Sequence, residues 1–240
     1  MNWGIRDLKW ETEASGIKFG EIVFSGSDFS QKVNPISDLH RYNYIVARLN
    51  PEDLNFVEKL YFLFSEKFSL SDTFAVISMK IPRFGRENFS RWNDYCILNG
   101  KDLTSREELL NQAMTKMKVS RYFNELPYQI AEKIYRRWLN EIIDRGVSFV
   151  FLERSNFKIK GFLGFTVESG RAKNFILFGE GISFVFLIKH FVNFGSDQGI
   201  KDMEFKISLK NLRALRVISR WIRNVEHQIN FELVFSKINI

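Results

Sequence analysis

The chain has one cysteine, Cys96, and only three histidines, His40, His190 and His227, set far apart. A single thiol excludes an intrachain disulfide framework and a thiolate zinc cluster, and the scattered histidines have no metal-ligand spacing, so no metal is expected. Cys96 lacks a nearby histidine or basic partner in the sequence, which argues against a nucleophilic role. No apolar run reaches membrane-spanning length, and the opening MNWGIRDLKWETE lacks the apolar core of a signal peptide. A soluble, reduced, cytoplasmic protein is the expectation. Lys plus Arg number 35 against 28 Asp plus Glu, a net charge of +7. This excess suits an anionic small molecule; without a long basic run, nucleic acid is not the expected partner.

What is present is ordinary globular material: 240 residues, 45% apolar and 26% charged, enough for one substantial core or two small lobes sharing one. The 25 phenylalanines fall mostly in strand-like runs such as Phe149-Val150-Phe151 and Phe184-Val185-Phe186, where they read as core filling.

Along the chain, residues 10–24 alternate like a strand, and residues 42–49 do so again. Asn50-Pro51-Glu52-Asp53 is a helix start signal, followed by Leu54, Val57, Leu60, Tyr61 and Phe64 at helical spacing. Residues 74–81 form a strand, which completes a small α/β lobe over residues 1–100, and residues 83–101 read as an interlobe connection. Thr104-Ser105-Arg106-Glu107 resembles a capping box. Ile130, Ile134, Trp138 and Ile142 step by four along a helix that Arg145-Gly146 would end with a C-cap glycine. Strands then follow at 147–153, 159–167 and 172–178. The short pattern Gly179-Glu180-Gly181 opens a helix, and a strand, a helix and a final strand at 231–238 complete the order. Phe175-Ile176-Leu177-Phe178 is apolar on both faces, which implies a sheet covered on both sides.

Between a strand and a helix, small residues let a backbone approach a ligand closely, and free N–H groups at the helix start suit a pyrophosphate. The strand–GxG–helix–strand–helix–strand order, with Asn211-Leu212-Arg213-Ala214 opening the next helix, resembles the acyl-CoA-binding half of the GNAT N-acyltransferases. Leu8-Lys9-Trp10-Glu11, Ser120-Arg121-Tyr122-Phe123 and Tyr135-Arg136-Arg137-Trp138-Leu139 further resemble the nucleotide-aminosugar N-acyltransferases similar to TDP-fucosamine acetyltransferase. The resemblance implies an α/β (α+β) fold. Its mixed, mostly antiparallel GNAT-like sheet, flanked by helices, would occupy residues 101–240 behind the N-terminal lobe. It also implies acyl-CoA as co-substrate, held by Ile176, Phe178, Gly179, Glu180, Gly181, Ile182, Ser183 and Asn211. The acceptor would be a dTDP- or UDP-linked amino sugar at Ser120, Arg121 and Tyr122, for surface polysaccharide synthesis. The acyl group would be acetyl or a hydroxyacyl chain such as 3-hydroxybutyryl, and a homodimer is the assembly considered. Glu168, at a strand end before the loop, is the candidate base.

The sequence departs from that pattern at Phe178, where the family has Gln or Arg, at Ser183, in place of a Gly or Ala, and at Ile218, in place of a proton-donating Tyr. Two alternatives follow: a GNAT acyltransferase for a peptide or small-molecule amine, and a decayed, non-catalytic scaffold presenting Lys210, Arg213, Arg216, Arg220 and Arg223 as a binding surface.

Overall fold

The computed structural model describes residues 3–24, 36–81, 94–117, 120–179, 183–222 and 225–239. The strands are β1 (Trp3–Asp7), β2 (Phe19–Phe24), β3 (Tyr44–Leu49), β4 (Ser69–Lys80), β5 (Tyr95–Asn99), β6 (Val147–Glu153), β7 (Ile159–Glu168), β8 (Arg171–Gly179), β9 (Asp202–Ser208) and β10 (His227–Ile238). The helices are α1 (Lys9–Ser15), α2 (Phe56–Ser65), α3 (Arg106–Met117), α4 (Arg121–Glu125), α5 (Tyr128–Arg145), α6 (Ser183–Asp197) and α7 (Leu212–Trp221).

All ten strands join one sheet in the order β1-β2-β3-β10-β4-β9-β8-β7-β6-β5. Only β2/β3 and β8/β9 run parallel, so the sheet is mixed and mostly antiparallel, as expected. The division of the chain near residue 100 is not a division of the sheet. Strand β4, from the first part, lies between β9 and β10 of the second, and β10 in turn pairs with β3. Residues 83–101 are not simply a connection either: Tyr95–Asn99 pairs with β6 as the far edge of the sheet.

Helices cover both faces, as the doubly apolar run at 175–178 requires. Phe175 and Leu177 pack with Phe165, Leu187, Phe191 and Phe205 beneath α6 and α7. Ile176 and Phe178 face α3 and α5 and pack with Leu110, Leu139 and Phe162. The amino-terminal part of α5 reaches onto β2 and β3, where Ala131 and Ile134 meet Phe19, Tyr44 and Val46.

Two local expectations are corrected, and a third takes an unexpected geometry. Residues 10–24 are not one strand, because Lys9–Ser15 makes a two-turn helix ended by Gly16 in the left-handed conformation (φ 81°). Of the stripe expected along α2, only Leu60 packs inward, beside the buried Leu63 and with Phe56 and Phe62, whereas Leu54, just before the helix, Val57, Tyr61 and Phe64 are exposed. Gly146 is the C-cap of α5, as expected, but in an extended and not a left-handed conformation. Its lack of a side chain serves close approach instead, since a Cβ there would lie 2.5 Å from the Phe165 carbonyl oxygen.

Candidate functional site

Strands β8 and β9 pair only through Arg171↔Asp202 and Ala172↔Met203, then part. The cause is visible in β8. Between Gly164↔Ile176 and Thr166↔Lys173 the β7–β8 register shifts, which places one extra residue in β8, and Asn174 sits at φ 55°. Such a bulge bends its strand, here away from β9. From that point to Gly179, the β9-facing side of β8 has no strand partner.

The gap holds a cavity of about 170 Å³. Leu163, Phe175, Leu177, Phe191, Met203, Phe205 and Ile218 give it apolar walls beneath α6 and α7. Lys206 and Ser208 also line it, although they alternate with Phe205 and Ile207 along β9 and so point to the opposite face. The cavity therefore borders both faces of the sheet at the open edge of β9.

Of the residues expected at the acyl-CoA loop, Glu180, Gly181 and Ile182 lie outside the described residues. Gly179 stands opposite Gly161 in register. Ser183 Oγ donates to the Lys160 carbonyl at 3.0 Å and lies 2.5 Å from where a Gly179 Cβ would be. This glycine seats the first turn of α6 against the sheet. Asn211 lines the cavity, and its side chain caps α7 by accepting from the Ala214 N–H at 3.1 Å. Phe178 stacks on Phe162 on the α5 side, so it offers no polar contact. Ile218 is buried in the cavity wall and offers no proton. Glu168 is not brought to this site. It pairs with Arg171 at the turn end of the β7–β8 hairpin, is exposed, and lies 3.5 Å from Lys173. The eight residue steps of β8 from there to the loop span roughly 25 Å. Within the arginine-rich segment, Arg216 is exposed, while Lys210 Nζ donates to the Ser71 carbonyl at 2.6 Å. His190 packs edge-on against Phe149, and burial lowers its pKa, so it is a neutral core group.

A second polar site lies on the opposite face, under α4. Arg121, the first residue of α4, is only partly exposed. Burial opposes its charge, but Tyr122, Tyr44, Glu125 and Tyr135 outweigh that and raise its pKa. The Tyr122 ring lies 4.5 Å from the guanidinium carbon. Tyr44 donates to Glu125 Oε2 and Ser236 Oγ donates to Oε1 at 3.2 Å, so both oxygens of that carboxylate are engaged. Burial pushes the Tyr44 hydroxyl well above its ordinary range and that of Tyr135 up to about 12. Ser120 Oγ is buried beside the Tyr135 hydroxyl without a hydrogen bond of regular geometry. The expected trio Ser120, Arg121 and Tyr122 thus lies at the start of α4 among Tyr44, Glu125 and Tyr135. Glu125 lies one helical turn after Arg121 on α4 and Tyr135 follows on α5, whereas Tyr44 comes from a distant segment that periodicity does not link to them.

No family model matches the chain, and no curated protein matches it either. Solved structures do match. A conserved protein of unknown function from Staphylococcus epidermidis superposes with a TM-score of 0.56 at 11% identity, covering 83% of this chain and 74% of that one. A tandem GNAT protein from the clavulanic acid biosynthesis pathway gives 0.51 at 6% identity, covering 92% and 75%. A probable N-acyltransferase from Enterococcus faecalis gives 0.50 at 11%, covering 92% of this chain and 55% of its own. The chain has a GNAT-like fold. The parting of β8 from β9 and the crossover helix α6 are the features of this GNAT-like sheet that build the cavity. Among the described residues, no helix is long and apolar enough to cross a membrane, and no His, Cys, Asp and Glu group could hold a metal ion.

Proposed function

We propose that the protein is an acyl-CoA-dependent N-acyltransferase whose acceptor is the amino group of a nucleotide-linked amino sugar. The observation that carries this reading is the cavity at the β8–β9 gap, apolar beneath α6 and α7 and open past Lys206 and Ser208 to the other face of the sheet. Its walls suit the pantetheine arm and acyl group. The loop at 179–183 would meet the pyrophosphate through backbone N–H groups, since Phe178 supplies no polar side chain. Residues 101–240 carry the acyl-CoA side, and residues 1–100 add β3 and β4 to the acceptor side. The sequence resemblance supports the sugar-nucleotide class, and the partly exposed Arg121 at the start of α4 is compatible with it.

In this reading a neutral amine attacks the thioester carbonyl directly, and no covalent enzyme intermediate forms. N–H groups of β8 between Ile176 and Phe178, where it has no β9 partner, would stabilise the oxyanion. The chain has no acid at Ile218 for the leaving thiolate. That is tolerable, because an unperturbed thiol has a pKa of about 8.5.

Calorimetric titration with acetyl-CoA tests the reading. At a hundred times the dissociation constant, bound acetyl-CoA stabilises the fold by roughly 2.7 kcal/mol. Gly181→Glu, which brings bulk and a like charge into the expected phosphate loop, weakens binding at least about tenfold while melting stays cooperative. Free-thiol release with dTDP- and UDP-linked amino sugars then identifies the acceptor. Absence of acetyl-CoA binding by the unaltered protein overturns the reading. Binding without thiol release from any amine leaves the non-catalytic alternative that Phe178 and Ile218 favour.

A further inference from the structure

Register places Arg48, Val234 and Asp72 side by side on the α4 face of β3, β10 and β4. At Val234/Phe235 the β10 partner jumps from Asp72 to Leu70, leaving Ser71 as the extra residue of a bulge. The bulge lets Ser71 reach this face as well: its Oγ donates to Ser236 Oγ at 2.5 Å, and Ser236 passes the chain to Glu125. Asp72 is 3% exposed, unusually buried for a carboxylate that has no cation within ion-pair distance among the described residues. Its Oδ1 accepts from Ser208 Oγ and the Thr73 N–H, both at 2.8 Å. Among the described residues, Oδ2 accepts no hydrogen bond. Ser208 also lines the cavity, so this carboxylate stands one side chain away from the acyl site.

Arg121 is the complementary case. Arg48 is held by Glu21, and Glu232 lies 3.9 Å from it, whereas Arg121 has no carboxylate within ion-pair distance among the described residues. The Arg121 charge acts on Arg48 and Tyr44, both on β3, and β3 lies two strand spacings from β4. In the plane of the sheet Arg121 and Asp72 are therefore roughly 10 Å apart.

We propose that the α4 face is a bipolar acceptor subsite for an amine bearing a phosphate group, with the phosphate on Arg121 and the amine on Asp72 Oδ2. The proposal rests on the acyl-transfer reading for the identity of the reaction, but not for the binding it describes. The planar guanidinium gives two parallel donors to phosphate oxygens, and the buried Ser120 hydroxyl beside it adds a third. At the other end Asp72 takes the first proton of the acceptor ammonium and passes it to water. The lone pair this frees on nitrogen forms the C–N bond as the C–S bond breaks, and the second proton from nitrogen ends on the CoA sulfur. The spacing sets a length requirement: an amine too close to its phosphate cannot reach both groups.

The test uses 6-aminohexyl phosphate, whose extended length matches this span, with hexyl phosphate and 2-aminoethyl phosphate as controls, titrated calorimetrically into the full chain. The expected ranking has 6-aminohexyl phosphate about tenfold tighter than hexyl phosphate and 2-aminoethyl phosphate without that advantage, because the charge-assisted hydrogen bond to Asp72 forms only at the right length. Arg121→Gln weakens all three at least about tenfold, and Asp72→Asn removes only the advantage of the long amine. The length dependence in the unaltered protein needs no variant, so it stands even if Asp72→Asn folds poorly. Equal binding of the long amine and hexyl phosphate, or affinities for all three that Arg121→Gln leaves unchanged, overturns the proposal. Acetyl-CoA titrated in parallel separates the two readings: if it fails to bind while the phosphate ranking holds, acyl transfer falls and the bipolar subsite stands.

Discussion

Strands β4, β9 and β10 carry Ala75, Ile77, Met203, Phe205 and Ile207 on one face and Ser71, Asp72, Lys206, Ser208, Glu232 and Ser236 on the other. Alternation along a strand produces both faces from the same residues, yet they do different work. The first buries large apolar groups under α6 and α7 and supplies stability by removing that area from water. The second buries hydroxyls and carboxylates whose hydrogen bonds return little net free energy, because water satisfied the same groups in the unfolded chain. Stability alone would favour apolar residues there. The contrast teaches that binding roles are to be sought on the face that stability does not explain.

The sharpest way to break this contrast is to damage the apolar face. Phe205→Ala removes a nearly buried ring from the cavity wall and costs about 3–5 kcal/mol, which lowers the melting temperature by roughly 10 °C in calorimetry. A loss of under about 1 kcal/mol would show that the cavity wall collapses onto the gap and that the apolar face is not where stability resides.

A smaller effect is expected from pH on the polar face. Burial raises the Tyr135 pKa from its ordinary value of 10 to about 12, so the unfolded chain loses that proton first as pH climbs. The stability this tyrosine contributes is fully present below pH 10 and is lost as pH rises from 10 through 12, by about 2–3 kcal/mol. Melting temperatures across pH 8–12 should show the fall, and Tyr135→Phe should flatten part of it. An identical slope in that variant would assign the alkaline loss to other groups.

The smallest effect belongs to the outward stripe of α2. Val57→Lys, at a residue 75% exposed, should change stability by less than about 0.5 kcal/mol. A larger loss in a urea titration would mean that Val57 is covered in solution.

The part of the fold from β6 to α7 was legible because its elements are long, alternate clearly and follow one another in space as in sequence. The segment at 10–24 misled because Trp10 and Ala14, which pack inward one helical turn apart, belong to a helix of only seven residues, too short for that period to stand out against the alternation that follows. The α2 stripe misled because both faces of the helix are apolar, and only contact with β3 decides which one is buried. Of the proposed site, the loop and Arg121 could be named from neighbouring residues and Glu125 lies four residues from Arg121, whereas Asp72 and Tyr44 come from β4 and β3 through pairing across the whole chain. One sign of Asp72 was present in the sequence: an aspartate inside the strand run SLSDTFAV, where strands disfavour it.

The insertion of β10 between β3 and β4 also bears on how the protein is made. Both earlier strands leave the ribosome with the edges that β10 will join still bare, and the partner follows only when residues 227–238 emerge. At ~5–20 residues per second this leaves roughly 7 to 30 seconds in which the nascent chain displays two unpaired edges. Such edges are templates for association with other chains. The opening residues should therefore depend on chaperone shielding during translation, and a truncated gene encoding only the first hundred residues should yield aggregates and not a soluble lobe.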